Sequence, residues 1–172
     1  MLDFAELLSA ETERFAALVV SAGPATAVPS CPGWTVRDLA THVGRGHRWA
    51  AALVATRATA PLPFDTSEAP PDPAAWPGWL EDGARALVTA VAEAGPDCRV
   101  WTWRADKTAT FWLRRMLHDE LVHRVDAQLA AGLPPDVSAG VSTCNEMFFA
   151  TYASRSRSTA MYTASAADTG RV

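Results

Sequence analysis

The chain has 172 residues, 49% of them apolar and 20% charged, with seven Trp and six Phe as bulky core material; this excludes a wholly disordered or fibrous chain and fits one domain with or without a tail. A net charge of −4, no basic run and a single lysine, Lys107, exclude a general nucleic-acid binder. Three widely spaced cysteines (Cys31, Cys98, Cys144), acids in the first turns of the N-terminus and no apolar stretch near the ~20 residues of a bilayer span predict a cytoplasmic protein with no disulfide framework and no membrane partner.

Four long helical patterns dominate. The first runs from about Asp3 to Ala22, with Phe4, Leu7, Leu8, Phe15, Leu18 and Val19 at helical spacing; Asp3 and Glu6 resemble a capping box, and Gly23-Pro24 is a stop. Thr35 is a natural N-cap for the second, with Asp38 at the third position and Leu39, Val43, Ala50 and Leu53 as its apolar stripe to about Arg57. Pro61, Pro63, Pro70, Pro71 and Pro73 then predict a long surface excursion, because repeated prolines block helix and central strand alike. The third helix is expected from about Ala75 to Ala94. Arg99 to Trp103 reads as an extended connector or small edge strand. A fourth helix is expected from about Thr108 to Ala131, ending at Gly132 before Pro134-Pro135. A weaker helical pattern covers Val137 to Tyr152. The last twenty residues hold no Leu, Phe or Trp and read as disordered. The expectation is an all-α bundle over residues 1–135, with a weak extra helix and a Ser/Thr/Ala-rich tail over 136–172.

The four histidines fall on the second and fourth helices. His42 sits beside the apolar stripe of the second helix, and His47, about 140° further round, points elsewhere. Asp119 and His123 are an i, i+4 pair on one face, flanked by Trp112, Met116 and Asp126. One imidazole from the second helix, with an imidazole and a carboxylate from the fourth, can build a three-ligand metal site with an open position. Spacing alone equally allows a surface Asp–His pair and a hydrogen-bonded core histidine. Arg115 leans toward this face and Arg114 away from it, and both fit a solvated helix surface. Asp126 fits either a partner for His123 or one for a nearby arginine. Trp34 and Trp112 fit a ligand pocket, with core packing favoured. Cys31, at the entry to the second helix, reads as a small apolar residue.

Two blocks carry a resemblance. Cys31-Pro32-Gly33-Trp34-Thr35-Val36-Arg37-Asp38-Leu39-Ala40-Thr41-His42 and the stretch Phe111 to Ala127, which contains His118-Asp119-Glu120-Leu121-Val122-His123, resemble paired motifs of the mycothiol-dependent maleylpyruvate isomerase family, in its N-terminal DinB-like domain. Trp101-Thr102-Trp103 is similar to that family as well. The resemblance spans about residues 3 to 132 and implies a DinB-like four-helix bundle holding a divalent metal, usually zinc, through His42, Asp119 and His123. The isomerase has Glu where this chain has Asp119, which places the metal nearer the fourth helix or behind a water; Glu120, facing away, is the poorer substitute. The resemblance further implies mycothiol as thiol cosubstrate and a small electrophile as substrate of an isomerase or thiol transferase. It also implies a second, sterol-carrier-like domain, for which no counterpart is expected after residue 135. A non-catalytic metal-binding or regulatory module is therefore the rival reading, and a remnant of a truncated gene a third.

Overall fold

Asp3 and Thr35 start the first two helices as their side chains predict. In a computed structural model describing residues 3–136, the Asp3 carboxylate accepts from the backbone N–H groups of Ala5 and Glu6 at the head of α1 (Phe4–Ala22). Thr35 and Asp38 form a full capping box on α2 (Val36–Ala55), each satisfying a donor that the first turn leaves orphaned. A 3₁₀ turn, Pro73–Ala75, leads into α3 (Trp76–Ala94), and α4 spans Ala109–Ala130. Arg99 and Thr108 make one isolated bridge, and no strand forms among the described residues. Arg99 to Trp103 is thus a connector, because no second strand lies beside it to extend the pairing. The helix expected over Val137 to Tyr152 and the tail beyond it lie outside the described residues, as does Cys144.

The core divides into two apolar clusters, and their membership gives the topology. Leu8 of α1 belongs to the first cluster and Phe15, Ala16 and Val19 to the second. On α2 and α3 the order reverses: Leu39 and Val43, then Trp76 and Leu80, belong to the second cluster, whereas Ala50, Leu53, Leu87 and Val91 belong to the first. On α4, Phe111 through Val125 lie in the first and Ala127 in the second. So α1 and α4 run one way, α2 and α3 the other. A bundle with two consecutive parallel helices needs a crossover the length of the molecule.

The proline-rich segment supplies it. It returns along α2 as a strap, fastened by residues one helical turn apart. Trp49 Nε1 donates to Leu62 O at 3.0 Å, Arg45 Nε to Ser67 O at 2.6 Å, and Arg37 Nη2 to Ala69 O at 2.7 Å. Ala69 N donates in turn to Thr41 Oγ1 at 3.3 Å. The excursion is therefore only partly a surface one, since Ala69 is fully buried.

Between the two apolar clusters lies a polar layer: Glu11 and Thr12 on α1, His47 on α2, and Glu120 and Arg124 on α4. Arg124 Nε meets Glu11 Oε2 at 2.6 Å, and His47 Nε2 meets Glu120 Oε2 at 2.9 Å. Pairing offsets the cost of burying these groups. It also explains why α4 has no apolar stripe of the usual kind, being buried on nearly every side. No helix among the described residues is long and apolar enough to cross a membrane.

Candidate metal centre

Antiparallel packing of α2 and α4 brings His42, Asp119 and His123 to one point. Asp119 Oδ2 lies 3.6 Å from His42 Nε2 and 3.8 Å from His123 Nε2. The three potential ligand atoms all fall within 4.8 Å of one another. These separations are long for hydrogen bonds. A tetrahedral zinc with ~2.0–2.1 Å bonds would set its ligand atoms about 3.3 Å apart, so the donors need to close by only a few tenths of an ångström to well over one. Two imidazole nitrogens and one carboxylate oxygen are also a donor set that zinc takes, and the residues fit such an ion. The shorter aspartate reaches as near to His42 as to His123, so direct ligation needs no water between.

Each member is held by a neighbour. His123 is 1% exposed, and its Nδ1 contacts Asp126 Oδ2 at 2.9 Å, which leaves Nε2 turned toward Asp119. Asp126, itself 2% exposed, accepts from Ser30 Oγ at 2.6 Å and lies 3.7 Å from Cys31 Sγ. One carboxylate thus orients the histidine and anchors the loop leading into α2. Trp34, on that loop, packs its ring 5.2 Å from the His42 ring and stacks 6.4 Å from that of His123. Its indole covers the imidazoles.

Asp119 divides its oxygens. Oδ2 faces the imidazoles, while Oδ1 accepts from Arg115 Nη1 at 2.9 Å. Burial acts to raise its pKa, but Arg115, His123 and His42 overcome that and hold the carboxyl well below its ordinary value. It is therefore ionised and ready to act as a ligand at neutral pH. His118, one residue earlier, lies outside the cluster. Burial, with Arg115 and Arg114 adding to it, depresses its pKa to about 4, so it is neutral.

A concavity of about 400 Å³ adjoins His42, walled by Trp34, Thr41, Arg45, Phe64 and Glu68. Phe64 and Glu68 come from the strap, and Arg45 pairs with Glu68.

Most expected side chains fall where spacing puts them. Asp126 pairs with His123. Arg114 and Arg115, read as a solvated surface, each carry an ion pair, Arg115 to Asp119 and the more exposed Arg114 to Asp106. Trp112 is wholly buried in the first apolar cluster, 5.3 Å from Trp49, whereas Trp34 stands at the triad. His47 turns away and finds Glu120. Sequence reasoning missed Ser30, Phe64 and Glu68. The first carries no helical periodicity, and the other two lie in a proline-rich stretch whose path composition does not reveal.

A family model for the mycothiol maleylpyruvate isomerase N-terminal domain matches residues 5–128. No curated protein and no solved structure matches the chain.

Proposed function

The chain belongs to the mycothiol maleylpyruvate isomerase N-terminal domain family, and from that premise we propose that it is a zinc-dependent, thiol-using enzyme of isomerase or transferase type acting on a small electrophile. The observation that carries the reading is the convergence of His42 Nε2, Asp119 Oδ2 and His123 Nε2 within 4.8 Å. His42, Asp119 and His123 would hold a divalent ion there, and the chemistry it would supply is Lewis acidity, which lowers the pKa of a thiol.

The remaining work falls to side chains. Asp126 fixes the His123 tautomer by accepting from Nδ1–H, so that Nε2 keeps its lone pair. Arg115 fixes the Asp119 rotamer through Oδ1 and keeps the carboxyl ionised. Trp34 excludes water from one side of the imidazoles. The concavity beside His42 is the natural entry for mycothiol and substrate, and the strap finishes its wall. The domain carrying the site is residues 1–135 in this reading.

Metal analysis of the purified full chain tests it. Wild type is expected to hold about one zinc per chain and His123→Ala to lose it. A metal-free wild type, or equal metal in both, overturns the ligand assignment. Calorimetric titration with mycothiol is then expected to give binding to the zinc-loaded wild type and none to His123→Ala. Absence of binding in both would leave a non-catalytic metal module.

A further inference from the structure

One step further along the seam between α2 and α4, the two helices share a second polar contact. His47 Nε2 lies 2.9 Å from Glu120 Oε2, and the side chains are 2% and 0% exposed. Pairing offsets only part of the cost of burying them. His47 Nδ1 and both Glu120 oxygens are buried without a hydrogen bond among the described residues. A buried pair left this incomplete is a poor way to stabilise a fold, and an apolar pair of similar volume usually does as well or better.

What the pair does supply is placement. His47 follows His42 by five residues on α2, and Glu120 falls between Asp119 and His123 on α4. Elsewhere α2 directs its polar side chains to other partners, Arg37, Arg45 and Trp49 to the strap and Arg48 to α3. Among the described residues, His47–Glu120 is therefore the polar link outside the triad between the two ligand-bearing helices.

The packing beside this link sets register weakly. Gly46 presents no side chain, and a β-carbon there would lie 3.6 Å from Met116 Sδ. Methionine is unbranched and refits to a displaced neighbour. Such a contact lets α2 slide along α4, whereas a buried polar pair has one best position, and register is the best-attested use of such groups. Two ligands of the triad come from α4 and one from α2. A slide would carry His42 away while Asp119 and His123 stay together, and sites of this kind work only within about 0.5 Å of their proper geometry.

We propose that His47 and Glu120 are positioning residues of the metal centre, fixing α2 against α4 so that His42 Nε2 stays in reach of the ion. The proposal rests on the reading of the triad as a metal site, and gives a buried pair outside it a role that fold stability does not explain.

Replacing both members by apolar residues tests this, since removing one alone leaves the other uncompensated and destabilises for that reason. In the full chain, His47→Leu/Glu120→Met is expected to unfold at the denaturant concentration of the wild type or a higher one. Its zinc affinity, by chelator competition, is expected to fall about 10–100-fold, the range for groups that orient a ligand. A second readout needs no metal. The His42 and His123 ring centroids lie 4.9 Å apart, close enough for nuclear Overhauser contacts between ring protons, and the chain has only four histidines to assign. These contacts are expected in the wild type and should be lost in the double variant. Wild-type zinc affinity or unchanged ring contacts in that variant overturn the proposal. So does a loss of fold stability alongside the loss of zinc, which marks a merely structural pair. If the variant does not fold, His47→Phe/Glu120→Leu repeats the test, and failure of both to fold also overturns the proposal. A wild type that takes up no zinc sinks the reading of the triad, while the ring contacts still decide the register.

Discussion

Asp126 concentrates two tasks in one buried carboxylate. It holds His123 through Nδ1 and the Ser30–Cys31 loop through both oxygens. Asp126→Asn keeps the shape but removes the charge, and its amide N–H₂ can turn toward Nδ1 and favour the wrong tautomer. Partners of this kind typically contribute 10–100-fold to metal affinity. We expect zinc affinity, measured by competition with a chelating dye, to fall by about that factor; an unchanged affinity would contradict the orienting role. Much of this centre was legible at the level of single residues. The i, i+4 spacing of Asp119 and His123 fixes a shared face, and the two sequence blocks pair that face with His42. The His47–Glu120 pair was not legible, because helical periodicity gives an angle about one axis and names no partner across a bundle. Ser30 was invisible for a similar reason, as its contact with Asp126 is made by a loop.

At the scale of elements, α3 seats the Trp79 ring against Gly44 of α2. A β-carbon there would lie 2.0 Å from the Trp79 ring, which Arg48 covers at 4.2 Å while donating to Trp79 O at 2.6 Å. Gly44→Ala improves helix propensity by up to ~1 kcal/mol, but it must push the indole out from under the guanidinium. The net expectation is a loss of about 1–3 kcal/mol by denaturant unfolding; a gain in stability would show that α3 yields freely. Helix existence was readable from the caps at Asp3 and Thr35 and the stops at Gly23 and Gly132, since these act within a few residues of the chain. The strap was not. Prolines announced that the segment is neither helix nor central strand, but its course depends on Arg37, Thr41, Arg45 and Trp49. These polar and amphipathic side chains look like an ordinary solvated face when α2 is read alone.

For the whole molecule, protonation sets a one-sided limit on stability. In the folded chain His118 titrates at about 4, against about 6.5 for an unperturbed imidazole. Between those values the unfolded chain binds the extra proton, so stability falls as pH drops through the interval. Asp119, also depressed, continues the loss below its ordinary value of 3.8. Denaturation of the metal-free protein at several pH values is expected to show a loss of at most about 3 kcal/mol from His118 between pH 6.5 and 4. His118→Gln should flatten that interval, and parallel curves for the two proteins would contradict the assignment. The all-α class was legible from composition and spacing. The direction of each helix was not, because a long connector permits α3 to lie parallel or antiparallel to α2, and only the shared core membership decides it.

The manner in which the strap is fastened has a bearing on how this chain can diversify. Trp49, Arg45 and Arg37 grip carbonyl oxygens of the strap, and Thr41 receives one of its amides. Every residue type but proline offers both groups. Phe64 contributes no side-chain hydrogen bond to the attachment, so mutation there can reshape the mouth of the concavity while the same main-chain bonds persist. Heritable variation in ligand preference can therefore accumulate on the strap without first loosening the helices that carry His42, Asp119 and His123.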